Sequence, residues 1–543
     1  MYRVELTESF FPAQPGPALL TQSVGQALQQ AAEDSKDKTA LVEMCLDGSI
    51  GRRWNYGELY ETSLTLARRL AGRYPKGTRI AVCAHNIPQW VILEYAAAMA
   101  GLVLVTVNPS FQSSEISYVV GQSGAVALFY VPSYRGNPIE GIVKEVQQQQ
   151  SQLQDLVNML DPQELFGSGE AHAPEADLPE VKSEDPIQIQ YTSGTTGFPK
   201  GAILHHRGLL NNSLLIGDRM GLTDKDVWMN FMPMFHTGGC GIGTLAALNV
   251  RASIVLVAQF DPALVNAVIE QEKVTSFLAV PTMLVGLLEE QAVSGRDLSS
   301  LRAVISGGAM VAPTLVEQAM ERWGIAVQVL YGQTECSPVA VQAWRDDSFD
   351  DLTTTTGQPL PHTEVSVRDP SDNSVLPINA VGEICIRGYN VMHAYNDNPE
   401  ATQKTIDAEG WLHSGDLGCM DERGFLKITG RVKEMIIRGG ENLFPVEIEN
   451  AMVTHPDIAE AAVVGVPDPK WGELACCFYR LEDGGEELPI THLREYAREK
   501  LSSQKTPTYW VGVSEWPLTA SGKIQKFKLK EDIEKGRYQL LSA

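Results

Sequence analysis

Apolar positions fall in short blocks separated by polar or glycine-rich joints along most of the chain. RIAVCAH (Arg79–His85) and LVLVTV from Leu102 are strand-length apolar runs, and Ile92–Ala100 between them has a helix-like pattern. This strand-helix-strand order recurs through the first 430 residues and predicts an α/β architecture with largely parallel sheets. Ile187, Gln188, Ile189, Gln190 and Tyr191 alternate apolar and polar like a short strand, and Ala326–Leu330 is an apolar run that delivers a loop. EVQQQQSQLQ from Glu145 reads as a polar helix, and Asp161–Pro186, rich in Pro, Gly and Glu, as an exposed connector. At Gly430–Glu434 one apolar run passes through a charged tetrapeptide into another, which marks a domain boundary; no internal repeat is evident.

A chain of 543 residues calls for at least two cooperating units. Apolar residues at 44% and charged residues at 20% match ordinary globular usage and exclude a disordered or collagen-like chain. The most apolar stretch, near Ile92–Val107, is broken by Glu94 and Gly101, so no integral membrane segment is expected. The first residues carry no basic block followed by an apolar one, and a cytoplasmic protein is expected. The net charge of −24 argues against nucleic acid and anionic lipid as partners but leaves a small anionic ligand open, because only charges lining a site act on it. Residues 431 to 543, with fifteen Lys and Arg against eighteen Asp and Glu, are nearly neutral. The eight cysteines show no CxxC pair, and the adjacent His205 and His206 lack helical metal-ligand spacing, so ordinary thiols and polar packing are expected.

The strand at Ile187–Tyr191 runs into TSGTTGFPKG, Thr192–Gly201. Gly194, Gly197 and Gly201 let backbone N–H groups approach a polyphosphate, the hydroxyls of Thr192, Ser193, Thr195 and Thr196 add donors, and Lys200 adds a cation with no acid nearby. The order differs from a Walker A loop, since Lys200 follows Pro199 and precedes Gly201. A dinucleotide-binding GxGxxG near the N-terminus is also absent, which argues against a dehydrogenase. Further along, YGQTE (Tyr331–Glu335) offers the Thr334 hydroxyl to a phosphate and the Glu335 carboxylate as a hard oxygen ligand for Mg²⁺. GWLHSGDLG (Gly410–Gly418) presents Asp416, a carboxylate able to accept both hydroxyls of a ribose. In RGGENLFPVEIE (Arg438–Glu449), Gly439 and Gly440 allow close backbone approach, and Glu447 and Glu449 suit the N-terminal dipole of a helix begun by Pro445. LTASGKIQK (Leu518–Lys526) carries Lys523 after a Ser-Gly pair, and the six basic residues from Lys523 to Arg537 read mostly as a solvated helix face.

Taken in order, YTSGTTGFPKG and these four later segments resemble the adenylate-forming superfamily of acyl-CoA synthetases, luciferases and peptide-synthetase adenylation domains over nearly the whole chain. The resemblance implies an α/β fold with a large N-terminal domain, residues 1–432, of mainly parallel α/β sheets plus a β-subdomain, and a small mobile α+β domain, residues 433–543. It implies that Tyr331, with Gly332 and Gln333, packs on adenine, Thr334 meets the α-phosphate, Glu335 serves the metal, Asp416 and Arg431 hold the ribose, and Lys433 is the hinge. It makes Lys523 the catalytic cation, and Gly439 and Gly440 the lining of a thiol tunnel after rotation. A charge about 4 Å from the reacting phosphate contributes roughly 4 kcal/mol at an effective dielectric near 20.

FMPMFHTGG (Phe231–Gly239) and SGGAM (Ser306–Met310) combine apolar bulk with glycine. Gly307, Gly308 and Ala309 are counted with the nucleotide contacts, and Phe235, Gly239, Gly308, Met310 and Val339 as the acyl wall. Amino-acid-activating relatives place an aspartate where this chain has Phe235 and His236, which disfavours an amino acid. His236 either orients the carboxylate, or gates the pocket, or packs on its aromatic neighbour. Trp471 stacks on the adenine of coenzyme A or belongs to the core. Twenty residues follow Lys523, so no fused carrier domain is expected. The expected reaction consumes a fatty or other acyl acid, ATP with Mg²⁺ and coenzyme A, and releases AMP and pyrophosphate. The alternatives are a separate carrier protein as acceptor, a luciferase-like oxidation, and a non-catalytic acyl or nucleotide binder; a homodimer is compatible with the sequence.

Overall fold

The computed structural model describes residues 1–167, 176–192, 199–309, 311–439, 441–482, 485, 488–518 and 524–542; the side chains of 441 and 442 fall outside that description. Two parallel-rich sheets form the body of the chain. In the first, the strands Val103–Val107, Arg79–Cys83, Ala127–Tyr130 and Asp155–Asn158 run parallel beside Pro186–Thr192, and Lys200–His205 and Ala394–Tyr395 close one edge antiparallel. Arg79–Cys83 and Val103–Val107 are covered on both faces, which is why they read as unbroken apolar runs. The helix between them, Pro88–Met99, starts with proline in its first turn and is buried almost all round.

The second sheet runs parallel through Val327–Gly332, Ala303–Ser306, Ser276–Ala279, Val227–Asn230, Ser253–Val257 and Thr39–Met44, with antiparallel edges at Val339–Gln342 and Ile50–Asn55. A third, antiparallel sheet orders Phe10–Phe11, Thr363–Arg368, Gly382–Gly388, Leu412–Met420 and Leu426–Arg431. After Arg431 a short turn, Val432–Glu434, leads to a last sheet containing Ile436–Arg438, Glu441–Leu443, Ile458–Asp468, Gly472–Leu481 and Tyr509–Gly512, packed with the helices Pro445–Met452, Ile490–Lys500 and Lys526–Glu534. Its buried apolar clusters begin at Ile436 and share no residue with those of the preceding sheets. Among the described residues no helix is long and apolar enough to cross a membrane.

Three local expectations are corrected. The helix expected over EVQQQQSQLQ spans Ile139–Gln149 and is amphipathic, burying Ile139, Ile142, Val143 and Val146. The strand Pro186–Thr192 is buried on both faces in spite of its alternation. Its polar positions are satisfied internally: the Gln188 side-chain amide donates to Glu94 Oε1 at 2.9 Å, and Gln190 donates to Gln188 Oε1 at 2.7 Å. Burial raises the Glu94 pKa well above the carboxylate range, so this acid is a neutral member of the network. Glu449 lies past the first helical turn; its carboxylate accepts the Val463 N–H at 2.6 Å and pairs with Lys526 at 2.7 Å, so Lys526 is not on a solvated face either.

Candidate active site

The end of the strand Val327–Gly332 and the hairpin formed by Leu412–Met420 and Leu426–Arg431 meet at Asp416. Asp416 and Arg431 are cross-strand partners, and the Arg431 Nε lies 2.9 Å from Asp416 Oδ1. The Tyr331 hydroxyl donates to Asp416 Oδ2 at 2.9 Å. The acid is therefore held at both oxygens by groups from two different sheets. Burial and the Asp416 charge push the Tyr331 pKa well above its ordinary value and keep the phenol a donor, while Asp416 raises the pKa of Arg431. Gly332 next to Tyr331 has no room for a side chain: a Cβ would lie 2.0 Å from the Pro338 carbonyl oxygen.

A second polar cluster surrounds Glu335, which is buried in the short turn Thr334–Cys336. Oε1 accepts the Tyr395 hydroxyl at 2.7 Å and the Thr192 hydroxyl at 3.4 Å. Thr192 opens the glycine-threonine loop and Lys200 closes it, and the Lys200 ammonium sits 4.7 Å from the centre of the Tyr395 ring. Burial lowers the Lys200 pKa; the charge on Lys433 lowers it further and that of Glu335 opposes. Both carboxylate contacts fall on one oxygen, and a carboxylate flanked by hydroxyls is the hard-oxygen set that suits Mg²⁺. Tyr395 was missed in the sequence. Its signal was weak, a tyrosine in an irregular stretch whose role depends on pairing with Ala202 across the sheet edge.

The remaining candidates occupy several settings. Gly307 is where the strands Ala303–Ser306 and Val327–Gly332 crowd, since a Cβ there would meet Leu330 Cδ1 at 2.4 Å; Gly308 takes a left-handed φ of 79°, and it and Ala309 are exposed. Gly239 lies in the π-helical turn Gly238–Ile242, and a Cβ would lie 2.3 Å from the Pro233 carbonyl oxygen. His236 contacts Phe235, ring centroids 4.8 Å apart. Val339 is buried with both backbone groups bonded to the Asn212 amide. No hydrogen bond joins Phe235, Gly239, Gly308 and Val339 to one another among the described residues. Trp471 is 43% exposed and lies on Gly439, whose N–H donates to the Trp471 carbonyl at 2.7 Å; Lys470 and Arg438 flank the indole ring. Ser193, Gly194, Thr195, Thr196, Gly197, Met310, Gly440 and Lys523 lie outside the described residues.

The adjacent histidines are both buried. His205 Nδ1 accepts the Gly208 N–H at 3.0 Å, and His206 Nδ1 accepts the Val24 N–H at 3.2 Å. The eight cysteines are free thiols, six of them buried.

The family described as AMP-binding enzyme matches residues 28–396, and the AMP-binding enzyme C-terminal domain matches residues 447–523. Among curated proteins, YngI of Bacillus subtilis (strain 168), named as an acyl-CoA synthetase, is 38% identical over 94% of this chain and 97% of its own. The human mitochondrial medium-chain acyl-CoA ligase ACSF2 is 34% identical over 95% of this chain and 88% of its own. Among solved structures, ATP-bound MatB from Rhodopseudomonas palustris superposes with a TM-score of 0.84 at 27% identity, covering 94% of this chain and 99% of that one.

Proposed function

The chain belongs to the AMP-binding enzymes, in the acyl-CoA ligase branch of the adenylate-forming superfamily, and from that premise we propose which residues carry its reaction and which acid it takes. The enzyme is an AMP-forming acid–thiol ligase that activates a carboxylic acid with ATP and transfers the acyl group to coenzyme A. In the first half-reaction a carboxylate oxygen bonds to the α-phosphorus as the bond from that phosphorus to the α,β-bridging oxygen breaks, and pyrophosphate leaves with the electron pair. In the second the thiol sulfur bonds to the acyl carbon, AMP leaves with the electron pair, and the thiol proton passes to solvent. No protein nucleophile is required, so the protein's work is positioning and charge stabilisation.

In our reading Asp416 accepts the ribose hydroxyls with Arg431 beside it, Tyr331 packs on adenine, and Thr334 meets the α-phosphate. Thr192 and Lys200, with the loop between them, hold the β- and γ-phosphates. Glu335, oriented by Tyr395, would hold Mg²⁺, which when bound would supply positive charge against the phosphates. Lys523 faces the α-phosphate during adenylation. Residues 433–543 then turn about Lys433, bringing Gly439 and Gly440 to the thiol path and Trp471 to the nucleotide end of coenzyme A. The observation that carries this reading is the five-residue span Tyr331–Glu335. One end reaches the Asp416–Arg431 pair and the other the Glu335–Thr192–Tyr395 cluster, which spaces a ribose site and a metal site across one phosphate chain.

The acid we propose is a medium-chain aliphatic acid used in cytoplasmic fatty-acid metabolism. Phe231–Gly239 contains no acidic group to pair with an ammonium, Phe231 and Met234 are buried there, and the relatives above are named for acyl and medium-chain substrates. His236 orients the substrate carboxylate. Pyrophosphate release across straight-chain, aromatic and amino acids, with and without coenzyme A, tests this. The highest kcat/KM is expected for a medium-chain fatty acid; a preference for an aromatic, dicarboxylic or amino acid would replace it.

A further inference from the structure

Asp416 reaches the nucleotide side through an irregularity in the antiparallel sheet. Between the strands Gly382–Gly388 and Leu412–Met420, His413 is the partner of Cys385 and Leu417 that of Glu383. Three residues, 414–416, therefore face Ile384 alone. Such a bulge re-aims a side chain at the cost of unpaired backbone groups. Gly415 supplies the left-handed φ of 72° that the turn needs.

The backbone groups of the bulge are taken up by side chains. Glu383 Oε1 accepts the Gly415 N–H at 3.0 Å, and the Ser414 hydroxyl donates to the Ile384 carbonyl at 2.6 Å while accepting the Asp416 N–H at 3.1 Å. The other oxygen of Glu383 is 2.9 Å from His413 Nδ1. His413 turns Nε2 toward Asp407 Oδ2 at 3.5 Å, and Asp407 Oδ1 accepts the N–H groups of Glu409 and Trp411, each at 2.9 Å. The imidazole is thus clamped between two carboxylates with 20% of its side chain exposed. Contacts with Cys385 and Glu383 push its pKa up to about 10.

Glu383, Cys385 and His413 also bring ligand atoms within 4.8 Å of one another, a spacing a metal ion would accept. With Nδ1 on Glu383 and Nε2 facing Asp407, a protonated His413 has no lone pair to offer, and burial raises the Cys385 pKa, which disfavours the thiolate.

We propose that His413 is a positioning residue for adenylation: as the cation between Glu383 and Asp407 it locks the bulge 414–416 and so fixes the Asp416 carboxylate for the ribose hydroxyls. The inference rests on the assignment of Asp416 to the ribose. What the clamp secures is recognition of those hydroxyls, so its removal should be felt by ATP and hardly by an analogue that lacks one of them.

The test is acid-dependent ATP–pyrophosphate exchange by the full-length enzyme with ATP and with 3′-deoxy-ATP, thermal melts confirming that each variant is folded. His413→Gln should lower kcat/KM for ATP about tenfold, mainly through KM, as expected when a charged hydrogen bond is lost, and should change 3′-deoxy-ATP far less. His413→Arg, whose guanidinium can reach both carboxylates, should restore most of the preference for ATP. Equal losses for both nucleotides, an intact preference in His413→Gln, or a stoichiometric metal ion in the purified enzyme that is missing from that variant would overturn the proposal. Asp416→Asn separates the two layers. If it retains the preference for ATP, the ribose assignment itself falls; if it erases the preference and His413→Gln does not, only the clamp falls.

Discussion

Tyr395 donates its hydroxyl to Glu335 Oε1 at 2.7 Å, and the two residues come from segments 60 positions apart. The tyrosine's pKa is raised by burial and by the Glu335 charge, so it stays a donor and fixes one oxygen of the acid. With the Lys200 ammonium over its ring, Tyr395 ties the acid of the YGQTE segment to the end of the glycine-threonine segment.

Tyr395→Phe is therefore expected to raise the Mg²⁺ concentration for half-maximal ATP–pyrophosphate exchange by about tenfold, the usual effect of removing a partner that orients a metal ligand. Glu335→Gln should raise it further. A magnesium titration unchanged in Tyr395→Phe would reduce that residue to packing.

Arg431 meets Asp416 from the strand that ends at the boundary turn. Arg431→Ala takes the guanidinium away from that carboxylate and is expected to raise KM for ATP by about tenfold, the loss of one charged hydrogen bond, with a smaller effect on kcat. Steady-state kinetics with varied ATP measure this, and an unaltered KM would separate Arg431 from nucleotide binding.

The fold was legible, and candidate polar residues could be named, because the information is local. Apolar runs at Arg79–Cys83 and Val103–Val107 must be covered on both faces, and Thr334, Glu335 and Asp416 sit in short segments whose residue types suit the phosphate, metal and sugar contacts proposed for them. What stayed hidden depends on partners far away in sequence. Tyr395 gains its role through Glu335, and His413 through Glu383 and Asp407, though His413 stands inside GWLHSGDLG in plain view. Gln188 and Gln190 look like solvent-facing positions because alternation cannot show that Glu94 waits on the covered side. Glu449 reads as a helix-dipole acid until Lys526, 77 positions on, is brought to it.

His206 gives the folded enzyme a sensitivity to mild acid. Burial pushes its pKa down to about 3, so the native state holds the ring neutral while the unfolded chain takes up a proton below about 6.5. This contribution to stability is complete above about 6.5 and is lost as pH falls toward 3, at up to about 1.4 kcal/mol per pH unit. The melting temperature should fall more steeply with acidification in the wild type than in His206→Asn, which cannot titrate. Parallel pH profiles would contradict the assignment.

On the proposed mechanism one site adenylates the acid through Lys523 and a rearranged site passes the acyl group to the thiol. The direct measurement compares Lys523→Ala with wild type in two assays, acid-dependent ATP–pyrophosphate exchange and thioester formation from supplied acyl-adenylate and coenzyme A. Exchange should fall by about a thousandfold, the equivalent of roughly 4 kcal/mol of lost charge stabilisation, while thioester formation continues at a comparable rate. An exchange rate that survives the substitution, or a loss of both activities in step, would contradict the account.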